Sequence, residues 1–360
     1  MLTSFDDYPV HQTPLPVANP GTGDRNFYDR YFFNGYDADG ELFFAVAMGL
    51  YPNRQVADAS FSVLRDGVQT SLHTSKQASP ERRDTRVGSI AVEVVEPLQR
   101  LRVRVDEGDL RADLTFDARS APIEEPRTLA FNGPRVSMDS TRLTQFGRWS
   151  GSITVDGQTI EVRPDRVSGC RDRSWGIRAG LGEPEVNPPG PLPQVYWIWT
   201  PLQLADRCIL FDSFEYADGR RWHEFGVVWP DQGEPTYMRA VDHDVDWQPG
   251  TRRGRQVTLR LEPAGGELLE VRMTPKLRFQ MLGLGYLHPE WGHGRWHGGA
   301  VSHLERWRVD DLDPLAPQHI HVQQVCDVEV GDERGVGILE QLVIGPHERS
   351  GLRDLFDGAP

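Results

Sequence analysis

Short runs of alternating apolar and polar residues recur along this chain. In the run QRLRVRVD, Leu101, Val103 and Val105 fall on one face and Arg100, Arg102 and Arg104 on the other. Leu110, Ala112, Leu114 and Phe116 repeat the pattern, as do Val257, Leu259 and Leu261. A period of two with one wet face predicts antiparallel sheet. Turn residues punctuate these runs. Asp37 to Gly40, Asp66-Gly67, Glu107-Gly108, Asp156-Gly157 and Asp218-Gly219 each separate two β-rich stretches, which is the mark of hairpins. Helical periodicity is weak throughout.

The 360 residues are enough for two domains with cores of their own. Hairpin signals lie on both sides of a central segment, CRDRSWGIR, running from Cys170 to Arg178. Soon after it, the proline-rich stretch from Pro188 to Pro193 reads as a crossing loop. These features predict an all-β chain with a boundary near residue 170. Residues 1–169 form one β-domain, 170–360 the other, and 170–195 the segment between them.

Charge narrows the partners. Asp and Glu number 53 against 39 Lys and Arg, a net charge of −14. That argues against nucleic acid and against anionic membrane surfaces. The apolar run around Leu42 to Tyr51 is about half the length of a membrane span. The first residues lack a basic start and an apolar core, so no signal peptide is expected. Three scattered cysteines, Cys170, Cys208 and Cys326, form no CxxC, and a reducing cytoplasm is the default location. No P-loop, GxGxxG before a helix or GxSxG elbow is present, and no cofactor is expected.

The segment RDRSWGIR resembles the acid–Trp-Gly-Arg segment of the lipocalin-like AttH and carotenoid 1,2-hydratase group. The stretches GLGYLHPEWGHGRWHG and GVGILEQLVIGPH, within residues 283–347, add to that resemblance. The resemblance implies two lipocalin-like antiparallel β-barrel halves packed together. It also implies an apolar pocket for a lipophilic substrate, in a group that includes hydratases of isoprenoid or prenyl double bonds.

Several residues are candidates for the chemistry. Asp172 beside Trp175 in an apolar cavity would act as a proton donor, whereas pairing with Arg171, Arg173 or Arg178 would make it a structural joint. Along Tyr196-Trp-Ile-Trp199, alternation puts Trp197 and Trp199 on one face and Tyr196 with Ile198 on the other. The indole pair serves either as a ligand wall or as core. Asp212 and Glu215 would come back across the Asp218-Gly219 turn against His223 and Glu224, with His223 the best acid–base candidate. His293 and His297, with Trp296 between them, are expected to share a strand face, as are His319 and His321. The spacing lacks HExxH, and no metal site is expected. Glu340 interrupts the apolar run GVGILEQLVIGP, either as a buried acid–base group or as a partner for an arginine such as Arg306.

The sequence is therefore read as an acid–base enzyme acting on a lipophilic small molecule: a hydratase or dehydratase, isomerase or cyclase. Asp172, Glu340, His293, His297 and His223 would handle protons. Trp175, Arg178, Tyr196, Trp197, Trp199 and Trp296 would bind the substrate. The alternative is a carrier that holds a hydrophobic ligand unchanged. A monomer or homodimer is expected.

Overall fold

A computed structural model describes residues 1–182 and 193–360. The stretch from Pro188 falls mainly outside the described residues. Thirteen strands precede the gap: β1 (Phe27–Asp37), β2 (Leu42–Tyr51), β3 (Val56–Arg65), β4 (Val68–Gln77), β5 (Arg86–Val87), β6 (Ile90–Glu96), β7 (Arg100–Glu107), β8 (Leu110–Ala118), β9 (Ile123–Glu124), β10 (Thr128–Asn132), β11 (Arg135–Val155), β12 (Gln158–Val162) and β13 (Val167–Arg178). Nine follow it: β14 (Val195–Gln203), β15 (Arg207–Glu215), β16 (Arg221–Pro230), β17 (Thr236–Trp247), β18 (Gly254–Pro263), β19 (Leu269–Gln280), β20 (Val301–Arg308), β21 (Val322–Val330) and β22 (Glu333–Ile344). Among the described residues there is no α-helix, and so none long and apolar enough to cross a membrane.

The five expected turns are all hairpin turns. At Asp66-Gly67 and Asp156-Gly157 both residues have positive φ, the backbone that a tight two-residue hairpin needs. Alternation holds as well. Leu101, Val103 and Val105 are buried, while Arg100, Arg102 and Arg104 face outward against Asp117, Asp113 and Glu93.

The strands form two units. The later one is a closed barrel, β14-β15-β16-β17-β18-β19-β21-β22. The earlier one is an open sheet in the order β20-β4-β3-β2-β1-β13-β11-β8-β7-β6-β5. It curls so that Phe44, Val46, Phe61 and Leu72 meet Val103, Leu114 and Phe116 across one core. Strand β20 leaves the later half of the chain to edge this sheet against β4. Cys170 to Arg178 is the second part of β13, in register with β1 and β11, so the segment expected to join two domains lies inside the first sheet.

Strand alternation gives the first sheet a second buried face. Phe33, Arg171 and Arg173 lie on the side of its own core. Phe32, Cys170 and Phe146 point the other way, toward Trp199, Leu210, Phe279 and Ile338 of the barrel. Phe32 and Trp199 meet edge to face at 6.4 Å. Truncating either to alanine would cost about 3–5 kcal/mol. On the opposite face, Gly169 permits Trp149 to fill the sheet's own core. A Cβ there would lie 2.2 Å from the Asn34 carbonyl and 2.4 Å from the Trp149 indole nitrogen. The candidate chemistry sits on the face shared with the barrel.

Candidate active site between the two β-units

Asp172 is centred on the shared face, with Phe32 of β1 on one side and Thr144 of β11 on the other. It is half-buried, and among the described residues none donates a hydrogen bond to its carboxyl. Burial pushes this carboxyl up to about 7. Arg142 and Arg30 oppose the rise, while Glu125 and Glu340 add to it.

Alternation corrects the expected neighbourhood of Asp172. Trp175 is an odd number of residues away, so it points to the opposite face and is exposed. Arg171 and Arg173 also point away, toward Gln145 and Asp29. None of the three is paired with Asp172.

Arg142 of β11 anchors one wall. Its guanidinium is shared by Glu125 and by Asp212 of β15, the latter at 2.6 Å. Thr144 donates to the other Glu125 oxygen at 2.6 Å. Asp212 also accepts from the Trp197 indole N–H at 2.6 Å and from His223 Nε2 at 3.1 Å. Two carboxylates on one cation separate in acidity. Burial raises Glu125 above its usual range, and Arg142 offsets this only in part. Burial also works to raise Asp212, but Arg142, His223 and Trp197 outweigh it and hold Asp212 low. Trp197 and Trp199 share this wall, each ring 5.6 Å from the Arg142 guanidinium.

A bulge shapes the same wall. Phe214 pairs with His223 but Glu215 pairs with Arg221, leaving Trp222 as the extra residue. Trp222 thereby packs on Phe214 at 4.7 Å, and Phe214 stacks on Trp197 at 5.6 Å. Glu215 lies inside the barrel instead, bonded to His347 at 2.9 Å.

The same barrel face carries Glu340 on β22, directly beside Trp199 in the strand register. Ile338 shares its outward face, and Leu339 and Val343 fill the barrel. Glu340 accepts from His321 Nε2 and from Gln323, both at 2.6 Å. Gln323 in turn accepts from Asn34 of β1 at 3.0 Å. Arg306, the expected partner of Glu340, pairs with Asp156. The Nδ1 atom of His321 is buried without a hydrogen-bond partner, and Tyr286 stands edge-on to its ring at 4.6 Å.

The remaining candidates lie elsewhere. Tyr196 is inside the closed barrel, stacked on His347 at 3.9 Å. Residues 287–300 contain no strand, because glycines and Pro289 break the ladder, so His293 and His297 share no strand face. His297 stacks on Trp291 at 4.0 Å, away from Asp172, and Trp296 is exposed. His293 lies at the edge of the site. Its Nε2–H donates to the Leu284 carbonyl at 2.8 Å, and its Nδ1 accepts from Arg30 and Arg178. Burial, then the two arginines, hold His293 well below the usual histidine range, so it is a neutral acceptor. His319 turns outward to the Asp313 carbonyl, parting from His321.

Thus Asp172, Glu340, His223, Trp197 and Trp199 come together. Glu125, Arg142, Gln323 and Asn34 complete the cluster, and sequence reading did not find them. Asn34 carried a signal, since it interrupts the apolar run YFFNGY much as Glu340 interrupts its own. Glu125 carried none, because it lies on a loop between strands. Two open surface depressions, about 430 and 450 Å³, lie elsewhere, beside Arg102 and along the N-terminal arm.

Among the described residues, one group has a donor set of the kind that binds metals: His73, His288 and Glu305. Its hydrogen bonds fit a metal poorly. Nδ1 of His288 accepts the backbone N–H groups of Glu290 and Trp291, which places the ring proton on Nε2. That N–H donates to Glu305 at 3.0 Å, and His73 Nε2 does the same at 2.8 Å. Ligation through His288 Nε2 would require an imidazolate or the loss of both backbone bonds.

Comparison with known proteins bears on fold and family. Residues 2–353 match a family of unknown function (DUF8625). No curated protein matches the chain by sequence. Kievitone hydratase from Nectria haematococca superposes with a TM-score of 0.53 at 13% identity, over 87% of this chain and 88% of that one. A putative AttH from Nitrosomonas europaea gives 0.53 at 14% identity, over 92% and 98%. CghA gives 0.50 at 10% identity, over 92% and 95%. The fold is that of the lipocalin-like AttH and hydratase group.

Proposed function

The chain belongs to the DUF8625 family, whose function is unknown, and we propose that it is an enzyme that moves a proton on a lipophilic small molecule held between its two β-units. The observation that carries this reading is Asp172: a half-buried carboxyl with no hydrogen-bond donor among the described residues, raised by burial to about 7. A structural acid would be paired. An acid of this strength gives and takes a proton at neutral pH.

The chemistry follows from the neighbours. Protonated Asp172 gives its proton to one carbon of a substrate double bond, and positive charge develops on the other carbon. The π faces of Trp197 and Trp199 stabilise that charge. Water adding to the cation makes the reaction a hydration, and loss of a neighbouring proton makes it an isomerisation. His223 is the acceptor for the departing proton. Its Nε2–H is committed to Asp212, which leaves the Nδ1 lone pair. The fold has a precedent in a protein named as a hydratase, though fold alone does not transfer chemistry.

Native mass spectrometry of the freshly purified protein, followed by solvent extraction, would identify a bound lipophile. Incubation of that compound with wild type and with Asp172→Asn tests the reading. Conversion by wild type alone is expected. Recovery of the compound unchanged from both proteins would establish a carrier instead.

A further inference from the structure

We propose that Arg30 and Arg178 form the binding site for a substrate carboxylate, so that the lipophilic molecule is an acid. This rests on the reading of Asp172 above and names the substrate class. The two guanidiniums converge on one atom: Arg30 Nη1 lies 3.1 Å and Arg178 Nη2 3.0 Å from His293 Nδ1. That atom carries no charge to offset them, because the ring proton sits on Nε2 and goes to the Leu284 carbonyl.

The ring neighbours are neutral as well, and the nearby Asp58 carboxyl is bonded to the Tyr51 hydroxyl and the Gly294 N–H and not to either arginine. Arg30 lies 4.7 Å from the Tyr286 ring, and Arg178 lies 4.9 Å from that of Tyr28. Among the described residues no carboxylate reaches ion-pair distance of either arginine. Arg142, on the same face, is met by two. The Arg30 Nε atom is buried without a partner. A chain of net charge −14 thus keeps two adjacent cations unpaired beside its candidate acid. Such an arrangement is expensive unless an anion completes it. Arg30 Nη1 and Nη2 are met by His293 and the Leu284 carbonyl, so a carboxylate would take the Arg30 Nε–H together with the Arg178 fork.

The spacing suits one molecule. Along the site face of β13 the residues run Asp172, Ser174, Gly176, Arg178. Small side chains therefore floor the space between acid and cation. Arg30 pairs with Ser174, two residues along from the Phe32–Asp172 pair, a step of about 7 Å. Arg178 is half-buried and Arg30 fully buried, so a ligand would reach the pair through Arg178. A carboxylate held there would set a carbon several bonds away beside Asp172.

The test compares 2-naphthoate with 2-naphthalenemethanol, the same ring system with and without the charge, by titration calorimetry. Wild type is expected to bind the carboxylate at least tenfold more tightly. Arg178→Gln is expected to lose that preference and keep its affinity for the alcohol, while Arg178→Lys recovers part of it. Asp172→Asn is expected to retain the preference, which separates failure of this site from failure of the proton-transfer reading. Equal affinity of wild type for both compounds, no binding of the carboxylate at millimolar concentration, or an equal loss for both in Arg178→Gln would overturn the proposal.

Discussion

Asn34 of β1 donates its side-chain N–H to Gln323 of β21 at 3.0 Å, across the boundary between the open sheet and the closed barrel. The same Asn34 accepts the backbone N–H of Cys170 at 2.9 Å. The site is therefore tied to the first sheet through β1 and β13, and to the second through the Gln323–Glu340–His321 chain. Neither unit alone contains the cluster. A polar network buried at such a joint holds the two surfaces in one register, because every displaced member loses a partner.

Asp172 should make the protein less stable as the solution becomes more alkaline. Its folded value of about 7 lies above the ordinary carboxyl value of 3.8. A raised acid favours the folded state when protonated, so this contribution is fully present below about pH 4 and is lost as pH rises through 7. Urea unfolding of Asp172→Asn against wild type should therefore show the variant more stable at pH 8, by a few kcal/mol. The gap should close at pH 4. A constant gap across that range would mean that Asp172 ionises normally.

Replacing Arg142 by methionine should destabilise the protein by about 3–5 kcal/mol, because Glu125 and Asp212 would be left buried without their shared cation. Adding Glu125→Gln and Asp212→Asn to that variant removes both orphaned charges and should restore most of the loss. Thermal unfolding of the single and triple variants measures this. A triple variant as unstable as the single would place the cost in packing rather than charge.

Glu305 should lock β20 onto the first sheet in a pH-dependent way. Burial would raise its carboxyl, but hydrogen bonds from His288 and His73 outweigh this and hold it at about 2. A lowered acid contributes stability above its unfolded value, near 4.5, which is lost as pH falls toward 2. Hydrogen exchange should show the β20 amides losing protection over that interval before the barrel does. Glu305→Gln should abolish the difference between pH 5 and pH 3. Unchanged β20 protection in wild type would remove this role.

Much of the architecture was readable one strand at a time. Alternation at Leu101, Val103 and Val105 and turns such as Asp66-Gly67 depend on neighbours two to four residues away, so local chemistry suffices. The facing of Trp197 against Tyr196, and of Glu340 against Leu339, followed from the same period. What alternation could not supply was the partner across the boundary. Of its expected arginines, Asp172 lost Arg171 and Arg173 because they lie on the other side of β13, and Arg178, on the same side, is bonded to His293; it gained Arg142, Arg30 and Glu125 from residues about 30 to 140 positions away. His293 and His297 parted because glycines broke the strand that was to align them. Local periodicity tells which way a side chain points. Whether the space it points into is dry, and which charges share it, is decided only when distant strands close around it.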